Sequence, residues 1–97
     1  MSPFNKKKLN KIRIKLDILD NNLIKIIKKR TVLVNQVLRL KEKKSEIVDK
    51  SRIKKILKNI KIKSVKNNID PKITKRIWFN MIYAFIDFER RNFKKKK

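Results

Sequence analysis

Between Asn5 and Lys41 the chain contains neither Pro nor Gly, and its apolar residues fall at Leu9, Ile12, Leu16, Leu19, Leu23, Ile26, Leu33, Val37 and Leu40. Alternating steps of three and four residues are the period of an α-helix with a coiled-coil-like seam. A helix of about 35 residues rises roughly 50 Å at 1.5 Å per residue, whereas a compact chain of this size has a radius of gyration of only about 12 to 13 Å. The rest of a 97-residue chain is too small to cover that seam. The pattern therefore predicts that a second copy covers it, as a homodimer.

The remainder divides at two breaks. The polar stretch Glu42-Lys43-Lys44-Ser45-Glu46 ends the first helix, and Asp49 or Ser51 can cap a second one carrying Ile53, Ile56, Leu57, Ile60 and Val65. Lys66-Asn67-Asn68 interrupts it, and Asp70-Pro71 is a restart, with Asp as N-cap and Pro at the first helical position, where its missing N–H costs nothing. The third helix carries Ile73, Ile77, Trp78, Met81, Ile82, Phe85 and Phe88. There is no strand alternation, linker or internal repeat, so the expectation is an all-α fold of three helices per chain, the N-terminal one very long. One domain over residues 1–97 is expected, with a basic tail from about residue 92 and the run Lys94-Lys95-Lys96-Lys97 solvated.

Composition removes much chemistry. The chain has no Cys, His or Gly. That excludes a disulfide framework, a zinc site, a Ser-His or Cys-His nucleophile and the glycine-rich loops that cradle phosphates. No metal and no cofactor is expected. With 40% hydrophobic residues the chain can build a core despite a net charge of +23. Such a charge invites a nucleic-acid partner, but 24 of the basic residues are Lys and only 7 are Arg. Groove readers and phosphate clamps lean on the bidentate Arg fork. A joint excess of Lys, Ile and Asn is the mark of an AT-rich genome, so nucleic acid is expected only as a non-specific partner. The start Met1-Ser2-Pro3-Phe4-Asn5-Lys6-Lys7-Lys8 is not followed by an apolar h-region, and no apolar run approaches the roughly 18 residues of a membrane span. A cytoplasmic protein without membrane contact is expected.

Polar residues interrupt the apolar pattern at three places. The seam of the first helix wants an apolar residue at 30, and Arg30 stands there. An Arg facing a core needs an anion, and positions 26, 27, 33 and 34 of the same helix are not acidic. Lys41 lies eleven residues on, about 20° around the helix from Arg30; it is either a favourable helix-end cation or a site residue. Glu89 follows Trp78, Ile82 and Phe85 at eleven, seven and four residues, which sets a carboxyl on an apolar stripe. With Arg90 and Arg91 beside it, a solvated helix-end cluster is an equal reading. Arg13 is seventeen residues, or about 25 Å, from Arg30. The two cannot grip one small ligand within a chain, although Arg13 of an antiparallel partner could close the gap.

Together these residues resemble the AroQ class of chorismate mutases, all-helical intertwined dimers. The resemblance covers nearly the whole chain. It is carried by Ile12-Arg13, Leu16, Leu19-Asp20, Leu23-Ile24, Lys29-Arg30, Val37 through Leu40-Lys41, Asp49 with Arg52, and Ile69-Asp70-Pro71. The spacing Arg13, Asp20, Arg30, Lys41 is its specific part. It implies an intertwined homodimer in which Arg13 crosses to the other subunit and, with Arg30 and Arg52, holds the two carboxylates of chorismate. It implies that Lys41 donates to the ether oxygen of the breaking bond, that Glu89 stands where the family carries a second group on that oxygen, and that Asp49 lies near the ring hydroxyl. The sequence departs from the family at Ile53, where many members place Glu against the hydroxyl, and at Phe85, where a Ser often touches a carboxylate. The segment between Lys41 and Arg52 is also short. These departures are similar to the isochorismate-pyruvate lyases, which share the fold.

The implied activity is the rearrangement of chorismate to prephenate in aromatic amino acid biosynthesis. It is intramolecular and requires no nucleophile, metal or redox cofactor. The alternatives are a lyase giving salicylate and pyruvate from isochorismate, and a non-enzymatic basic helical dimer that coats nucleic acid. Because the chain ends soon after the third helix, a stand-alone form without a regulatory domain is expected. A carboxylate at Glu89 would repel charge developing on the ether oxygen, so Glu89 must be protonated to donate there, and activity should rise as pH falls below neutral.

Overall fold

The computed structural model describes residues 1–94. The expected all-α fold is present: helix α1 (Pro3–Leu40), a single 3₁₀ turn (Lys44–Glu46), α2 (Lys50–Lys66) and α3 (Pro71–Asn92), with no strand among the described residues. Asn92 closes α3, Phe93 is half-buried, and the last three Lys of the terminal run lie outside the described residues. Packing groups the chain into two units, Met1–Leu33 and Val34–Lys97.

The first unit is helical from Pro3. Ser2 starts it: its hydroxyl accepts from the Asn5 N–H at 3.2 Å, and Pro3 occupies the first helical position, where no N–H is needed. Along this unit Ile12, Leu16, Leu19, Leu23, Ile26 and Leu33 are all more than half exposed. A continuous exposed apolar stripe of this kind is the mark of a contact surface.

The second unit holds the core. Leu38 from the last turns of α1, Ile47 from the connection, and Ile82 and Ile86 from α3 are buried together, with Val48, Ile53, Ile56, Leu57 and Phe93 against them. Ile82 and Ile86 lie four residues apart, one turn of α3, so they present one face. Ile47, only 4% exposed, was hidden in a stretch whose neighbours are charged. It is turned inward by the 3₁₀ turn before it, which Glu46 secures by accepting the Lys43 N–H at 3.1 Å.

Of the two possible caps for α2, the chain uses Asp49, whose carboxylate accepts from the Arg52 N–H at 3.0 Å. A cap of this type is worth about 1 kcal/mol. At the far end the Asn67 side chain donates to the Lys63 carbonyl, and Asn68 takes a left-handed φ of 56°, which Asn tolerates better than most residues. Asp70 then caps α3 through the Lys72 N–H at 2.9 Å, with Pro71 next to it. These two punctuation marks fold α3 back along α2. The packing is sealed by a buried pair of hydroxyls, Ser64 and Thr74, 2.6 Å apart. Ser64 also donates to the Ile60 carbonyl, so neither oxygen is stranded.

Candidate active site

The site grows out of the end of α1. Leu38 is anchored in the core, the helix stops at Leu40, and the Lys41 N–H still bonds back to the Leu38 carbonyl at 3.1 Å. Lys41 therefore leaves a fixed backbone position. On α3, Glu89 stands seven and three residues beyond Ile82 and Ile86 and shares their buried face; it is 8% exposed. Lys41 Nζ donates to Glu89 Oε2 at 2.7 Å, with the two side chains only 16% and 10% exposed.

Burial makes this contact strong and obligatory at once. A charge-assisted hydrogen bond away from bulk water gains strength, but either charge left there alone would carry its desolvation penalty unopposed. The pair offers a cationic donor fixed next to a carboxyl group that accepts when ionised and donates when protonated. Such an arrangement suits an oxygen that gains negative charge during a reaction.

A hollow of about 610 Å³ opens beside it, lined by Lys41, Glu46, Val48, Asp49 and Lys50. Two sequence candidates, Lys41 and Asp49, thus share one wall. Asp49 is exposed while its carboxylate holds the α2 cap, and Arg52, on the first turn of α2, is exposed. Ile53 is half-buried and packs against the core cluster. Phe85 is half-buried one turn before Glu89 and meets Phe88 edge-on, with ring centroids 6.4 Å apart. Within the first unit, Arg13 is exposed and Arg30 is half-buried. Their separation along α1 is about 25 Å, as the rise per residue requires.

Glu46, Val48 and Lys50 were not singled out from the sequence. The available signal was the apolar pair Ile47-Val48 within a charged stretch, which implies that this segment turns back onto the core. Among the described residues, no group of three or more acidic side chains comes together in a way that could hold a metal ion. No helix among them is long and apolar enough to cross a membrane.

The family model for chorismate mutase type II matches residues 12–90 of this chain. The chain belongs to the chorismate mutase type II family. The match takes in all of the sequence candidates, from Arg13 to Glu89, together with every element of the second unit that builds the Lys41–Glu89 contact. Searches of curated proteins and of solved structures returned no match to the chain. A chorismate mutase type II domain is all-helical, in keeping with the three helices described above.

Proposed function

We propose that the protein is a chorismate mutase, an isomerase that converts chorismate to prephenate, and that it works as a homodimer. The observation that carries this reading is the buried 2.7 Å contact between Lys41 and Glu89, in a chain of this family and at the two positions the resemblance assigns to the ether oxygen. Lys41 donates to that oxygen as the C–O bond lengthens and negative charge accumulates on it. Arg30, Arg52 and Arg13 of the partner subunit hold the two carboxylates, so that the substrate is kept in its diaxial near-attack form. Asp49 stands near the ring hydroxyl. A millionfold acceleration requires about 8 kcal/mol, shared here between preorganisation and the contact to the developing oxyanion.

Glu89 sets a condition on this chemistry. While ionised, it occupies Lys41 and presents negative charge to the place where the ether oxygen gains it. Once protonated, it frees Lys41 and becomes a second donor. The form that can donate a second hydrogen bond to the ether oxygen is the one with a neutral Glu89.

A second reading is isochorismate-pyruvate lyase activity. It is favoured by Ile53, whose packing against the core leaves an aliphatic group where hydroxyl recognition is expected, and by the aromatic edge of Phe85 on Phe88. Supplying purified protein with chorismate and, separately, isochorismate distinguishes the two: prephenate supports the mutase, and salicylate with pyruvate supports the lyase.

A further inference from the structure

A second feature of the molecule lies away from Lys41 and Glu89. From residue 50 to residue 86 the chain carries eleven Lys and Arg and a single carboxylate, Asp70, which is engaged in capping α3. A general excess of Lys would account for the number of cations, but it does not arrange them around an apolar trough. Two adjoining hollows, one of about 400 Å³ between α2 and α3 and one of about 740 Å³ continuing along α3, do have that arrangement, and they share Lys72 and Lys75. Lys58, Lys61, Lys72, Lys75 and Arg76 stand around them, with no acidic residue. Leu57, Ile60, Pro71 and Phe79 give them apolar walls. Phe79 continues into Tyr83 one turn on; the rings are 4.8 Å apart, tilted at 46°, and 46% and 41% of the two residues is exposed. Two neighbouring aromatic residues on an outer helix face are an unusual use of surface, since aromatic and cationic residues together mark interface anchors.

We propose that the groove between α2 and α3 docks an acidic amphipathic helix of another protein. The occupant must bring carboxylates to five cations and an apolar stripe to the floor. A helix with apolar residues at intervals of three and four and Asp or Glu on its flanks brings both, and it lies naturally along two packed helices. A second copy of this chain does not fit. With 31 Lys and Arg against 8 Asp and Glu it would set mostly cations against the five cations of this groove. Phe79 and Tyr83 act as the aromatic anchors, and the lysines set orientation and speed of encounter.

The test uses the full chain and a fluorescein-labelled peptide of roughly 18 residues, with Leu at helical spacing and Glu elsewhere. The same composition in scrambled order and an oligouridylate of about 20 nucleotides serve as comparisons. Binding is read by anisotropy at physiological salt, for the parent and for three double variants whose helicity is verified by circular dichroism. These are Lys72→Glu with Lys75→Glu, Phe79→Ser with Tyr83→Ser, and, as an equal charge change elsewhere, Lys7→Glu with Lys11→Glu. The periodic peptide is expected to bind about tenfold more tightly than the scrambled one, and both groove variants to weaken it by about tenfold, with the α1 variant staying within about twofold of the parent. Equal binding of periodic and scrambled peptides would overturn the proposal. So would equal loss in the α1 and groove charge variants, or tighter binding of the oligouridylate that depends on Phe79 and Tyr83.

Discussion

Lys41 and Glu89, separated by 48 residues in the chain, meet through a 2.7 Å hydrogen bond at the edge of the core that Leu38, Ile47, Ile82 and Ile86 form. Neither charge has the solvent it would need alone. Under the proposed function the contact bears on both stability and turnover, and the two can be separated by choice of substitution.

For turnover, Lys41→Ala removes the donor to the ether oxygen. Loss of one such donor costs about a hundredfold to a thousandfold in kcat. The rate of prephenate formation measured on folded variant protein checks this; a parental rate would remove Lys41 from the reaction.

Glu89→Gln replaces a group that must be protonated with one that donates at every pH. The Gln variant is expected to form prephenate faster than the parent at neutral pH. The sign follows from the chemistry: protonation turns Glu89 from acceptor to donor. The readout is the ratio of variant to parental kcat at neutral pH, and a variant slower than the parent would contradict the role of Glu89.

Stability responds differently. Lys41→Met alone leaves the Glu89 carboxylate buried without its cation, at a cost of about 3 kcal/mol, whereas Lys41→Met with Glu89→Leu removes both charges and restores much of the loss. Urea denaturation of the single and double variants tests this, and additive losses would show that the two groups do not depend on each other.

These relationships were only partly legible in the sequence. The three helices were readable because their punctuation is chemical: Asp49 and Asp70 each cap a helix, Pro71 sits where no N–H is needed, and Asn68 accepts a left-handed φ. Glu89 stood out because an apolar period of three and four passes through it, but its partner was not visible from periodicity, since Lys41 lies beyond the end of α1. Ile47 and Val48 were missed because a segment between helices has no period to read. Their burial follows from the 3₁₀ turn and the Asp49 cap, which are properties of the folded backbone. Asp49 and Arg52 were singled out for a ligand, and the structure shows them also joined in the α2 cap, Asp49 through its side chain and Arg52 through its backbone N–H.

Arg13 carries the quaternary part of the proposal. If it reaches the site of the other subunit, Arg13→Ala and Lys41→Ala are each inactive alone, yet a mixture allowed to exchange subunits forms heterodimers with one intact site. Random exchange restores about a quarter of parental activity. A mixture that remains inactive after demonstrated exchange would place Arg13 outside the partner's site.

The most direct measurement is product formation from chorismate by the purified parent and by Lys41→Ala, followed over time at pH 5 to 7.5 with isochorismate supplied in parallel. Prephenate from the parent, nearly abolished in Lys41→Ala, is the predicted result. Absence of prephenate from the folded parent, or its formation at an undiminished rate in Lys41→Ala, would contradict the account.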